Sequence, residues 1–194
     1  MSNLFKTLEL EAFRKGITPR TKESRDWFRS KAQQMRRVNR NELMNEDEIK
    51  LRNRFGMGNM YMFFYDPKTK DTLPYYDAFP LVIPVEPAEG GFYGLNLHYL
   101  PPVLRAKFLD SLLDITTNDK YNDSTKFDLS YGLLKKAQKY KHFKPCFKRY
   151  LTSHVRSRFA LVPAPEWEIA TFLPTADWRK ASGSKVYRDS RAMI

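Results

Sequence analysis

Apolar residues near the start of the chain recur at helical spacing and predict amphipathic helices. The first covers residues 3–15, and its apolar side consists of Leu4, Phe5, Leu8, Ala12 and Phe13. The second is predicted to begin at Thr18 and Pro19, a capping residue followed by a proline that suits a first turn. Its apolar stripe consists of Trp27, Phe28, Ala32, Met35 and Val38. A third is predicted to open at Asn45, because residues 46–48 are carboxylates that complement a helix dipole.

Short apolar and aromatic runs separated by turn residues follow, and they predict strands. The predicted strands cover 60–65, 72–76, 80–86 and 92–99. Pro84 has no amide donor, so its strand is expected at a sheet edge or at a bulge. The expected fold class is α+β, with a small antiparallel β-sheet or partly closed barrel over about residues 58–100. An N-terminal helical arm and C-terminal helices would complete it.

The second half of the chain returns to helical spacing. After the prolines at 101–102, the apolar residues predict a helix with a buried face of Val103, Leu104, Phe108, Leu109, Leu112 and Leu113. Another helix is predicted over about 126–141, and a further one from Pro145 to Arg158. The later prolines allow only short helices beyond that point.

The charges fall into three blocks, which suggest three regions. Residues 1–54 carry a net charge of +6, residues 55–134 carry −4 and residues 135–194 carry +10, for a total of +12. We interpret them as a basic helical N-terminal arm, a β-rich core with its following helix, and a basic helical C-terminal region. Such ends favour an anionic neighbour: nucleic acid, an anionic membrane surface or an acidic protein face.

The most basic run extends from Lys135 to Arg158, with nine cations and no carboxylate in 24 residues. Its cations are the candidate nucleic-acid or anion-binding residues: Lys135, Lys136, Lys139, Lys141, Lys144, Lys148, Arg149, Arg156 and Arg158. Four aromatic residues lie among them: Tyr140, Phe143, Phe147 and Tyr150. The cations would neutralise phosphates while the rings stack on exposed bases, or the rings would form the core face of basic helices.

The second predicted helix has a cationic outer face. Its candidate subunit-contact residues are Arg25, Arg29, Arg36, Arg37, Trp27 and Phe28. Such a face would lie on nucleic acid, bind an acidic neighbouring subunit, or simply be solvated. A membrane-surface helix fits less well, because only a narrow stripe is apolar.

Catalytic and metal-binding chemistry is poorly represented. The three histidines, His98, His142 and His154, lie in separate elements without the paired spacing of a zinc site. Cys146 is the only cysteine, and we interpret it as a small hydrophobic residue because no orienting carboxylate is near it in sequence. We therefore expect no enzyme activity, no metal and no cofactor. No apolar run reaches the roughly 18 residues of a membrane span, so none is expected.

Several runs are distinctive as a set. They are 60–68 (MYMFFYDPK), 73–77 (LPYYD), 79–81 (FPL), 91–101 (GFYGLNLHYLP), 148–158 (KRYLTSHVRSR), Trp167 and 172–174 (FLP). Over about residues 55–190, the chain resembles a small protein family of contractile-tailed bacteriophages of the T-even type. The resemblance implies a small β-barrel with helical additions, present in the virion or its assembly line. It associates the chain with virion morphogenesis genes and a DNA-end protector label, and it carries over no catalytic residues.

Two functions are compatible with these features. The first hypothesis is a non-enzymatic structural or assembly component of the phage virion, in the neck or baseplate, whose basic arms contact other virion proteins. The alternative is a sequence-independent protein that binds double-stranded DNA and coats or protects packaged DNA ends. In both cases the protein is expected in the virion after synthesis in the host cytoplasm.

Overall fold

The computed structural model describes residues 4–35, 38–45, 49–116, 120, 122–137 and 141–194. The helices in this part of the chain are α1 Leu4–Arg14, α2 Lys22–Gln34, α3 Arg40–Met44, α4 Pro102–Thr116, α5 Asp123–Ala137, α6 Trp167–Phe172 and α7 Gly183–Ala192. The strands are β1 Lys50–Arg52, β2 Met60–Met62, β3 Tyr76–Asp77, β4 Leu81–Ala88, β5 Gly91–Asn96, β6 Phe147–Leu151, β7 Phe159–Val162 and β8 Trp178–Arg179. No helix among these residues is long and apolar enough to cross a bilayer.

The strands form an open antiparallel sheet in the order β1-β7-β2-β4-β5-β6, and β3 pairs with β8 in a small second sheet. The predicted α+β class with an antiparallel sheet is thus confirmed, and the sheet is not closed into a barrel. β1 and β6 are its edges. The sheet also extends beyond the predicted range of 58–100, because β1, β6 and β7 come from outside it.

Both faces of the sheet are buried at its central strands. Alternate side chains of a strand point to opposite faces, so Met60 and Met62 join the core beneath the helices while Tyr61 joins the other side. That other side is a mostly aromatic cluster of Tyr61, Phe63, Tyr65, Val82, Phe92, Tyr150 and Phe159. The functional site described below lies beside this aromatic cluster.

The N-terminal helices pack on the sheet's helical side. Phe5, Leu8 and Phe28 belong to the same core as the strands. α2 begins at Lys22 rather than at the predicted Thr18, because the side chain of Thr21 accepts a hydrogen bond from the Ser24 N–H and caps the helix there. The core takes side chains from all three predicted charge regions, whose division stays a prediction.

Asn45, where a helix was predicted to open, is the C-terminal cap of α3, and residues 46–48 of that predicted helix lie outside the described part. One other predicted helix is wrong. The helix predicted from Pro145 to Arg158 is replaced by the short 3-10 helix Lys141–Cys146 and then β6. β6 pairs along its whole length with β5, and these hydrogen bonds satisfy its backbone as a strand.

The other predicted elements are close to their observed positions. α1, α4 and α5 occur where helical spacing predicted them, although α5 starts and ends a few residues earlier. The predicted strand at 72–76 is reduced to β3. Pro84 lies inside the sheet between β2 and β5, where the pairing register shifts between Pro84 and Glu86, so the bulge alternative is correct.

Candidate nucleic-acid interface

The structure separates the predicted basic residues into several places. Lys135 and Lys136 are exposed near the end of α5, and Lys144 is exposed just before β6. Lys148 and Arg149 lie on β6, while Arg156 and Arg158 are exposed between β6 and β7. Lys139 lies outside the described residues. Lys141 begins the 3-10 helix Lys141–Cys146, and its side chain is not described.

The aromatic residues among these cations pack mainly inside the protein. Phe143 contacts Phe108 at 5.0 Å between ring centroids, and Phe147 stacks on Tyr93 at 5.2 Å. Tyr150 is 4% exposed. Tyr140 lies outside the described part of the chain. The core-face alternative of the sequence analysis therefore describes these rings better than free stacking on bases.

The candidate subunit-contact residues are largely engaged within the chain. Arg25 forms an ion pair with Asp110 on α4, and Arg29 pairs with Asp26 at 2.8 Å. Phe28 is 5% exposed and belongs to the core, so contact with another subunit there would require α2 to leave the core. Trp27 is half-buried against it. Arg36 and Arg37 lie outside the described residues.

A cavity of about 670 Å³ opens at the edge strand β6. Five tyrosines line it, and we call it the tyrosine cavity: Tyr65, Tyr75, Tyr76, Tyr99 and Tyr150. One wall is the loop at 67–74, which contributes Lys68, and β6 contributes Lys148 and Arg149. The cavity therefore combines aromatic rings with cations, the two components that proteins use to bind single nucleotides of a strand.

Lys148 is the cation most enclosed by this cavity. Its Nζ lies 4.2 Å from the centre of the Tyr99 ring, a cation–π contact. Burial lowers the pKa of Lys148 below its usual value. No carboxylate lies within 4.0 Å of it among the residues that the structure describes. Its charge is therefore compensated by a ring face alone within the described structure.

The floor of the cavity is fixed by Asp77, whose carboxylate accepts four hydrogen bonds. Oδ1 accepts from the Phe79 N–H at 3.1 Å and from the Asp177 N–H at 2.9 Å. Oδ2 accepts from Asn96 Nδ2 at 3.2 Å and from His98 Nδ1 at 2.6 Å. Burial alone would raise the pKa of Asp77, but these donors lower it. The carboxylate is thus ionised and fully occupied.

His98 continues this network away from the cavity. Burial lowers its pKa more than Asp77 raises it, so the ring is neutral and donates from Nδ1 to the carboxylate. Its Nε2 then accepts from the Thr175 hydroxyl at 3.1 Å. The hydrogen-bonded sequence of a carboxylate, a histidine and a hydroxyl in Asp77, His98 and Thr175 resembles that of a catalytic triad, but none of the three residues is more than 3% exposed. The enclosed set positions neighbouring backbone through hydrogen bonds within the chain.

The loop that walls the cavity is held by Lys180. Its Nζ donates to the carbonyl oxygens of Lys70 at 2.6 Å, Asp71 at 3.0 Å and Leu73 at 3.3 Å. Lys180 has a φ of +65°, a left-handed conformation that costs a non-glycine residue of the order of 1 kcal/mol or more. The hydrogen bonds offset this cost and keep the loop in place.

Lys148 and Arg149 were predicted as anion-binding residues, but the tyrosines were not recognised as a set. They are separated by up to 85 residues in sequence, since Tyr65 and Tyr150 meet only when β6 joins the sheet. The sequence signal that existed was the pair Tyr75 and Tyr76 between a proline and an aspartate, within the distinctive run 73–77.

Comparison with known families bears on the two functional hypotheses. The family model of the phage T4 terminal DNA protecting protein matches residues 4–191. The chain belongs to this family. No curated protein and no solved structure gave a significant match.

Family membership confirms the resemblance to T-even phage proteins at the level of the family. It agrees with the DNA-end protection alternative better than with the first-ranked role in the neck or baseplate, which receives no support from it. A link to tails is likewise unsupported. The chain is a phage protein of a DNA-protecting family, and contacts with other virion proteins stay a prediction.

Proposed function

We propose that this protein binds the ends of its phage's linear duplex DNA and shields them from nucleases, without catalysing a reaction itself. The observation that carries the proposal is the match of residues 4–191 to the terminal DNA protecting family. A place in the virion follows from this role, since the packaged DNA ends are there. Contact with neighbouring virion proteins is part of the same proposal.

The exposed cations support binding to phosphates. Many lysines and arginines are exposed and have no carboxylate within 4.0 Å in the described part of the chain, among them Lys50, Arg52, Arg54, Lys68, Lys107, Lys135, Lys136, Lys144 and Arg158. By contrast, Lys31 is neutralised by Glu11. Free cations release counterions from DNA when they bind phosphates, which gives affinity without sequence preference.

The reactive side chains support a role without catalysis. Cys146 is buried, its thiol donates to the Phe143 carbonyl at 2.9 Å, and burial raises its pKa to about 12. Such a thiol is a poor nucleophile. Among the described residues, no cluster of three or more His, Cys, Asp or Glu is arranged to hold a metal ion. Protection would then come from occupying the DNA end.

An exonuclease assay tests the proposal. Linear duplexes of two different lengths are incubated with increasing amounts of the protein and then digested by an exonuclease that requires a free end. The proposal predicts that protection saturates at the same protein-to-end ratio for both lengths, and that protection declines as salt is raised.

Two results would contradict end binding. If the amount of protein needed rose in proportion to DNA length, the protein would be coating the duplex. If a covalently closed circle competed as well as an equal number of linear molecules, the ends would not be the preferred target. Protein added after heat denaturation serves as the control for inhibition of the nuclease itself.

A further inference from the structure

We infer that the tyrosine cavity receives one unstacked terminal nucleotide of the bound DNA, with a phosphate at Lys148 and the base beside Tyr75 and Tyr76. This inference rests on the proposed function and gives it a specific site. It adds a reason why an end, rather than internal duplex, would be recognised.

The size and rigidity of the cavity fit a small ligand. Its volume of about 670 Å³ lies within the roughly 300–1,000 Å³ that is usual for sites of this kind. Its floor is held by the four donors around Asp77, and its wall is held by the three hydrogen bonds of Lys180. A ligand would therefore enter a site that is already formed, with little ordering cost.

The charge in the cavity calls for an anion. Lys148 is partly buried and has no carboxylate partner among the described residues, and Lys68 and Arg149 add positive charge at the exposed part. Asp77 is the one carboxylate among the described residues that line the cavity, and four internal donors already occupy it. A partly desolvated cation without a counter-ion is stabilised by a phosphate, which would accept hydrogen bonds from its ammonium group.

The tyrosines are not equivalent as stacking surfaces. Tyr65 and Tyr150 pack on each other at 4.9 Å and are nearly buried, and the Tyr99 ring faces the Lys148 ammonium at 4.2 Å. Tyr75 and Tyr76 line the cavity and are each half-buried. The Tyr75 ring also contacts Tyr99 at 6.2 Å and Trp178 at 6.3 Å between ring centroids, whereas the Tyr76 ring has no aromatic contact among the described residues. A base that enters would therefore stack on one of these two, and stacking of this kind accepts any base.

A single-nucleotide cavity would discriminate ends from internal DNA through the cost of unstacking. A nucleotide inside a duplex must break its pairing and both of its stacks to enter, which costs a few kcal/mol. A terminal nucleotide has one stacking neighbour, and an overhanging one has no pairing partner. The cavity should therefore favour an end, and most strongly an end with a short overhang.

The test compares open and closed ends in wild-type protein and in variants. Affinities are measured by fluorescence anisotropy at one salt concentration for a duplex with short overhangs and for the same duplex closed by hairpins at both ends. In wild-type protein the open duplex should bind more tightly. Lys148→Gln and Tyr76→Ala should each reduce this preference about tenfold and leave affinity for the closed duplex nearly unchanged.

Lys144→Gln is the matched control, since Lys144 is exposed close to β6 but does not line the cavity. It should weaken binding to both duplexes equally. If the cavity variants keep the wild-type preference for open ends, the cavity inference is wrong while end binding stands. If wild-type protein shows no preference at all, the proposed function itself fails.

A second measurement uses wild-type protein and so avoids effects on folding. A 5-iodouracil base is placed at the terminal position or at an internal position of the duplex, and the complex is irradiated. Terminal placement should give a crosslink to Tyr75 or Tyr76 that peptide mass spectrometry identifies. Crosslinks confined to other residues, or equal yields from both positions, would overturn the inference.

Discussion

At the scale of single residues, the chain uses buried polar groups to hold a cavity open. Asp77 is 3% exposed, yet it is ionised because backbone and side-chain donors surround it. Two of these donors are backbone N–H groups: that of Phe79, just after β3, and that of Asp177, just before β8. One carboxylate therefore connects segments a hundred residues apart, and those segments frame the tyrosine cavity.

Replacement of Asp77 should destabilise the whole fold. In Asp77→Ala, the donors of Asn96, His98 and two peptide groups lose their acceptor in a buried position, and we expect the free energy of unfolding to fall by about 3 kcal/mol. Chemical denaturation measures this. Asp71→Ala is the matched control, because its side chain is exposed, and it should stay within about 0.5 kcal/mol of wild type. Equal stability of the two variants would contradict the structural role of Asp77.

Lys148 should make DNA binding sensitive to high pH. Because burial lowers its pKa in the free protein, Lys148 loses its proton at a lower pH than an ordinary lysine does. Nearby Tyr99 and Cys146 have raised pKa values and stay neutral, so they do not oppose this effect. Affinity for DNA ends should therefore fall as pH rises.

The measurement is a series of affinities for an open-ended duplex from about pH 7 to about pH 10. Lys148→Arg should shift the decline to higher pH, since a guanidinium keeps its proton. Stability changes in the opposite sense: between the folded and the unfolded pKa the unfolded chain binds more protons, so the free protein becomes more stable as pH rises. Identical pH profiles for wild type and Lys148→Arg would rule out a charged contact at this residue.

At the scale of elements, the predictions succeeded where one face of an element is buried. Helical spacing located α1, α4 and α5, and turn residues located β4 and β5. β6 was mistaken for part of a helix because the aromatic residues over 140–150 are spaced three and four apart, which fits the helical period and not the alternation of a strand. These residues form a strand because they pair with β5, which lies more than 50 residues earlier in the chain. A tertiary contact of this kind leaves no signal in the local sequence.

The same limit explains the missed site. Lys148 and Arg149 were visible as charges, but their location beside the tyrosines follows from β6 being at the sheet edge. Local sequence specifies the residue types, whereas strand order specifies which residues meet.

The packing of α2 gives a prediction at this scale. Phe28 belongs to the core, so Phe28→Ala should lower the free energy of unfolding by about 3–5 kcal/mol through the cavity that it leaves. Phe13 on α1 is 79% exposed, and Phe13→Ala should change the free energy of unfolding by no more than about 0.5 kcal/mol. Thermal unfolding of both variants decides this. A small effect at Phe28 would indicate that α2 is a detachable arm, as the charge pattern suggested.

At the scale of the whole molecule, the total of 34 lysines and arginines overstates the number of cations available to DNA. Arg25, Arg29 and Lys31 are paired with carboxylates of the same chain. Lys135, Lys136 and Lys144 have no such partner among the described residues. The charge blocks of the sequence therefore predict the sign of the partner, and the fold determines which cations remain to meet it.

Salt dependence separates the two kinds of cation. If Lys136 or Lys144 contacts a phosphate, its change to Gln should reduce the slope of log K against log salt by about 1. Lys31→Gln, which removes a charge already neutralised by Glu11, should leave the slope unchanged. Titrations of labelled duplex at several salt concentrations give the slopes. Equal slopes for all variants would show that these lysines do not meet the DNA backbone.

The position of the bound protein on long linear DNA tests the central claim most directly. Single complexes on a linear duplex are imaged by electron microscopy at low protein-to-DNA ratio, and the distance of each protein from the nearest end is recorded. Binding to DNA ends predicts that the proteins lie at the two termini. Proteins distributed evenly along the duplex, with no excess at its ends, would contradict the account.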